Sequence, residues 1–123
     1  MIYTGYFAKT KKYKEAGLVP ISIAGKAPAF YDGLQYKKLA PSFNLVYSYK
    51  SGSITPEEYI PRYYDEILKH YSWEEIEKDL YTLSEGKDVV LLCYETPKDF
   101  CHRQVVAEFA RKNGLNVVEY VSD

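Results

Sequence analysis

Cysteine is scarce: the 123-residue chain has two, too few for a disulfide framework. With so little sulfur the expected setting is the cytosol, with both thiols reduced. Long apolar runs are also missing. The longest, Val89 to Tyr94, is far too short to cross a bilayer, so no membrane association is expected. The opening residues Met1-Ile2-Tyr3-Thr4-Gly5-Tyr6 lack the basic start and apolar stretch of a secretory leader. Net charge is close to balanced at −1, which weakens any case for tight non-specific duplex binding. Internal repeats, low-complexity stretches and interdomain linkers are absent as well, so residues 1–123 read as a single domain. Three familiar phosphate and nucleophile motifs do not occur: GxxxxGK[ST], GxGxxG and GxSxG. A Cys-x5-Arg phosphatase cradle would need arginine at 99 or 107, where Asp99 and Ala107 stand.

What is present is an ordinary globular composition, 46% apolar and 27% charged, with enough length for a self-sufficient core. Charge is unevenly spread. Residues 1–50 carry eight lysines against Glu15 and Asp32, whereas residues 51–123 carry eight cations against fifteen acids. The Lys9, Lys11, Lys12 and Lys14 cluster is therefore one place where a phosphate could be attracted. Equally, acidic helix faces and lysine-rich loops can simply be solvated.

Ile2 to Phe7 reads as a first strand ahead of a lysine-rich turn, and Leu18 to Ala24 as a second strand. Residues 25–41, with Gly25, Pro28, Gly33 and Pro41, read as a long loop of the kind that often carries function. Ser42 can cap a helix running to Gly52, with a strand at Leu45–Tyr49 as the competing assignment. Thr55-Pro56-Glu57-Glu58 and Ser72-Trp73-Glu74-Glu75 open two better-signalled helices, the first expected to bend at Pro61. Asp88 to Tyr94 has the unbroken apolar run of a strand buried on both faces. Cys101 to Lys112 is a helix stopped by Asn113-Gly114, and Asn116 to Val121 a last strand. This order predicts an α/β fold: a three-layer domain with a mostly parallel sheet, Rossmann-like or flavodoxin-like, with right-handed crossovers.

In such a sheet ligands collect outside the carboxyl ends of the strands. The turn after Phe7, the Gly25-Lys26 loop and the stretch from Glu95 to Arg103 point there. In the last of these, Cys93 and Glu95 end a strand and Cys101-His102-Arg103 opens a helix, whose first-turn field favours an anion and lowers a thiol's pKa. Four readings stay open. Cys101 can act as a thiolate nucleophile, with His102 or Glu95 moving protons and Arg103 holding an anion. The same residues can form an anion or nucleotide pocket without covalent chemistry. Cys93, Cys101 and His102, completed by His70, can hold a metal; however, no CxxC or HExxH spacing supports it, so no metal ligands and no cofactor are assigned, with zinc left open. Last, the cluster can be structural, with Cys93 in the core, Cys101 capping the helix and Arg103 paired to Glu95. Among fourteen tyrosines, Tyr6, Tyr31 and Tyr94 are candidate walls of a pocket, beside Cys93, Lys26 and Arg103 as ligand-binding groups.

Leu91-Leu92-Cys93-Tyr94-Glu95 followed by Phe100-Cys101-His102-Arg103 resembles the domain-of-unknown-function family numbered four-eight-eight, found in bacterial and phage proteins. The resemblance extends through Ile21-Ser22-Ile23, Leu39-Ala40-Pro41-Ser42, Glu58-Tyr59 and Tyr63. It implies a compact α/β domain whose signature residues fall on Cys93, Glu95, Cys101, His102 and Arg103, without implying an activity. This chain lacks the Asp-Val-Arg segment of other branches, and Lys26 is the cation available to replace it. The leading expectation is a small cytoplasmic protein that binds or processes a phosphorylated ligand, a nucleotide or a nucleic-acid end. Its rival is a non-catalytic interaction module in which Cys-His-Arg is a structural corner and the acidic helices face a protein partner.

Overall fold

A computed structural model describes residues 1–121; residues 122 and 123, part of the domain expected from sequence, lie outside the described residues. Among the described residues, five parallel strands form one sheet: β1 (Ile2–Tyr6), β2 (Val19–Ser22), β3 (Leu34–Gln35), β4 (Val89–Cys93) and β5 (Val118–Glu119), in the order β3-β2-β4-β1-β5. Five helices flank it: α1 (Thr10–Glu15), α2 (Phe43–Lys50), α3 (Pro56–Glu66), α4 (Trp73–Leu83) and α5 (His102–Lys112).

The central strand explains the layering. Alternate side chains of a strand point to opposite faces, and every residue of β4 is buried. Val89, Leu91 and Cys93 join the larger core under α2–α5, while Val90 and Leu92 join a smaller one beneath α1, around Phe7, Tyr13 and Tyr31. The chain moves one way along the sheet from β1 to β2 with α1 on one face. It moves back through β3 to β4 and on to β5 with α2–α5 on the other, as right-handed crossovers require. The result is the expected three-layer α/β arrangement, with all strands parallel. Because they are parallel, their carboxyl ends share one edge. There β4 brings Cys93, and the loop after β2 brings Ala24 to Lys26.

Both well-signalled helices form as their caps dictate. Thr55 and Glu58 make a reciprocal capping box, and Ser72 accepts from the Glu75 amide at 3.1 Å. The α3 helix continues through Pro61. Ser42 accepts from the Leu45 amide, which selects the helical assignment for 43–50 over the strand. Three details differ from the sequence pattern. The lysine-rich turn contains α1, a helix too short to show a period because it buries only Tyr13. A Cβ at Gly5 would overlap the Tyr13 ring, so glycine lets α1 approach the sheet. The loop 25–41 contains β3 and a 3-10 turn at Lys37–Leu39, where the Tyr36 amide donates to the Ser22 carbonyl. Finally, pairing in the last strand is confined to Val118–Glu119. No helix among the described residues is long and apolar enough to cross a membrane.

Candidate functional site

At the carboxyl edge, between the loop after β2 and the start of α5, lies a cavity of about 610 Å³, within the size range of small-ligand sites. Its floor is Cys93, Cys101 and His102. Tyr49, Tyr59 and Phe100 form an aromatic wall with edge-on ring contacts of 5.2 to 5.6 Å, and the exposed rings of Phe43 and Tyr94 stand at its rim. Lys26, Lys50 and Glu95 add charge, with Lys50 Nζ 3.1 Å from Glu95 Oε1.

The floor arises from two element ends. Cys93 is the last residue of β4 and points into the larger core; Cys101 is the extended residue that caps α5, although its sulfur makes no capping bond. Their Cα atoms are 6.8 Å apart, and the two residues form a disulfide. This corrects the expectation of two reduced thiols: a count of cysteines cannot register that the strand end and helix start converge. The thiolate proposed for Cys101 thus requires prior reduction of this bond.

His102 is the most informative residue. Nε2 lies 2.7 Å from the Ile23 carbonyl oxygen. A carbonyl can only accept, so Nε2 carries the proton and Nδ1 keeps its lone pair. Nδ1 lies 3.4 Å from Cys93 Sγ and 3.8 Å from Cys101 Sγ; Cys93 Sγ is also 3.8 Å from Nε2, so it sits beside the ring and off the Nδ1 lone-pair axis. Burial in this apolar setting pulls the imidazole pKa down to about 4, opposed by the Ile23 hydrogen bond, so the ring is neutral at pH 7. The Tyr63 ring, 5.5 Å away between centroids, packs against it.

Arg103 occupies a different place from the one expected. Its side chain is fully buried; Nε and Nη2 bind the Glu119 carboxylate at 3.0 and 3.2 Å, and Nη1 donates to the Glu95 carbonyl at 2.7 Å. Successive residues at a helix start diverge by about 100°, so His102 turns to the cavity while Arg103 turns toward β1 and β5. The guanidinium therefore bridges sheet and loop and does not line the cavity. Its partner is the Glu119 carboxylate; with Glu95 it bonds the backbone. Tyr6 also lies outside the cavity, beneath the Arg103 guanidinium at 5.9 Å.

Tyr31 lines a second, smaller cavity on the opposite face with Phe7, Lys11, Lys14 and Phe30. Its hydroxyl donates to the Leu34 carbonyl at 2.5 Å, and burial pushes its pKa up to about 12. Tyr94 does reach the main cavity, where its hydroxyl donates to the Lys26 carbonyl and burial raises its pKa. Thus Cys93, Cys101, His102, Glu95, Lys26 and Tyr94 are brought together, while Arg103, Tyr6 and Tyr31 are not. Sequence reasoning missed Tyr49, Lys50, Tyr59 and Phe100. Phe100, adjacent to the Cys-His-Arg run, carried the one local signal; the others arrive from α2 and α3 through tertiary packing alone.

The match to a family model, described as the active DUF488-N3 subclade, covers residues 18–114, which include both cysteines, His102 and the whole cavity lining. No curated protein and no solved structure matches the chain. By the extent of that match, the chain belongs to the active DUF488-N3 subclade of the DUF488 family.

Proposed function

We propose that this protein is a thiol-dependent enzyme acting on a phosphorylated, ring-bearing ligand, a nucleotide or a nucleic-acid end. The observation that carries the reading is a buried, neutral histidine whose unprotonated Nδ1 lies within 3.4 to 3.8 Å of two sulfurs on the floor of an aromatic cavity. A disulfide sulfur has no hydrogen to offer, so Nδ1 gains a donor only when the pair is reduced. In that state the Cys101 S–H proton passes to Nδ1 as the sulfur bonds the ligand's electrophilic atom. The imidazolium then returns the proton to the departing group. A ring with a pKa of about 4 is too weak a base to hold the proton at rest, so transfer accompanies bond formation. Aromatic side chains supply faces on which a base can stack, and Lys26 and Lys50 supply the phosphate's counter-charge in place of Arg103. The description of the subclade as active agrees with a catalytic reading over a purely structural one.

The test has two arms, both on reduced protein. Iodoacetamide should alkylate Cys101 at pH 7 roughly tenfold faster than a free thiol of ordinary pKa, and His102→Gln should abolish the excess. Nucleoside mono- and diphosphates should raise the melting temperature of wild type, less so for Lys26→Ala. Ordinary thiol reactivity together with no stabilising nucleotide overturns the proposal and leaves the interaction-module reading.

A further inference from the structure

The same three floor residues form a set of metal ligands, and we infer that the reduced protein binds one thiophilic divalent cation, zinc by its chemistry, through Cys93 Sγ, Cys101 Sγ and His102 Nδ1. The inference depends on the thiol reading only in needing the pair reduced; it requires no enzymatic activity.

Geometry supports it first. Tetrahedral zinc with Zn–S near 2.3 Å and Zn–N near 2.0–2.1 Å implies sulfur-to-nitrogen edges of about 3.6 Å. The two edges present here are 3.4 and 3.8 Å, and all three donor atoms lie within 4.8 Å of one another. On reduction the sulfurs must separate to about 3.8 Å, the corresponding sulfur–sulfur edge, and Cys93 Sγ, now 3.8 Å from Nε2 as well, must swing toward the Nδ1 lone pair.

Orientation supports it independently. A ligating histidine characteristically donates its second N–H to a carbonyl or carboxylate, which fixes tautomer and ring angle. His102 already does so to Ile23 at 2.7 Å, leaving Nδ1 as a buried acceptor for which the disulfide form holds no hydrogen donor. All three residues line the cavity, and three protein ligands leave a fourth position for water or a ligand's donor atom.

The chemistry balances simply. A phosphine plus water reduces the disulfide to two thiols and becomes the phosphine oxide. Zinc then replaces the two thiol protons, which leave to solvent, while the Nε2 proton stays on its hydrogen bond. Metal and nucleophile compete for the same sulfurs, so the bound cation silences thiol chemistry and the disulfide excludes the cation.

Cobalt(II) is the probe. Titrated into phosphine-reduced wild type under anaerobic conditions, one equivalent should give a thiolate-to-metal charge-transfer band and the visible bands of a tetrahedral site, and one equivalent of zinc should erase both. Oxidised protein should give neither. Cys93→Ser, confirmed folded by circular dichroism, should roughly halve the charge-transfer intensity, and His102→Gln should weaken binding by at least about a hundredfold. Reduced wild type without a charge-transfer band, or His102→Gln with undiminished affinity, overturns the site. Iodoacetamide reactivity of the metal-free reduced protein is read separately. Fast alkylation without cobalt binding would therefore remove the metal and keep the thiol enzyme, and the converse would do the reverse.

Discussion

Burying a neutral imidazole ties the stability of this protein to pH in a way that a single substitution isolates. Desolvation lowers the His102 pKa from 6.5 to about 4. Above pH 6.5 native and unfolded chains both hold the ring neutral, and it makes no pH-dependent contribution. As pH falls from 6.5 toward 4, the unfolded chain takes up a proton that the native state refuses, and stability drops by about 1.4 kcal/mol per pH unit. Over that window the loss is about 3 kcal/mol, and below pH 4 it levels off. Carboxylates titrate in the lower part of the same range, so the quantity to measure is a difference between proteins. His102→Gln keeps a side-chain N–H that can reach the Ile23 carbonyl and has nothing to titrate. Urea unfolding of the oxidised proteins at pH 7.0, 6.0, 5.0 and 4.5 should show wild type losing stability faster than the variant, by most of that amount at pH 4.5. Parallel curves would refute the reasoning: His102 would then take up its proton as readily in the fold as in the unfolded chain, and burial would not hold Nδ1 unprotonated as the pH falls.

The disulfide and the buried arginine give two further expectations. Linking residues eight apart removes loop entropy from the unfolded chain worth roughly 2–3 kcal/mol, so adding reductant should lower the urea midpoint accordingly, with little further effect of reductant on Cys93→Ser. Arg103→Met leaves the partly exposed Glu119 carboxylate with only the Thr4 hydroxyl and strands the Glu95 carbonyl, which should cost about 3 kcal/mol. Because Arg103 does not line the cavity, nucleotide-dependent stabilisation of the folded variant should match wild type in size; a selective loss of that response would return the arginine to an anion-binding role.

Much of the fold was legible because it depends on local patterns. Capping residues at Ser42, Thr55 and Ser72 announce helices, and the unbroken Val89–Cys93 run announces a strand covered on both faces. Elements too short to repeat a pattern were illegible. The α1 helix buries one residue, and β3 has two exposed residues held by backbone pairing with β2. Strand order was likewise beyond reach, since it depends on which apolar surfaces meet across the whole chain.

For the site, the sequence by itself determined which chemistry is available: two thiols, an imidazole and a guanidinium at a strand end and a helix start. Only the tertiary structure decided how they divide. Adjacent residues on a helix face different directions, so His102 meets the sulfurs at the cavity floor while Arg103 is drawn inward to Glu119. Packing of α2 and α3 over the sheet then supplied the aromatic walls, and convergence of β4 with α5 joined two cysteines that composition alone counted as separate thiols.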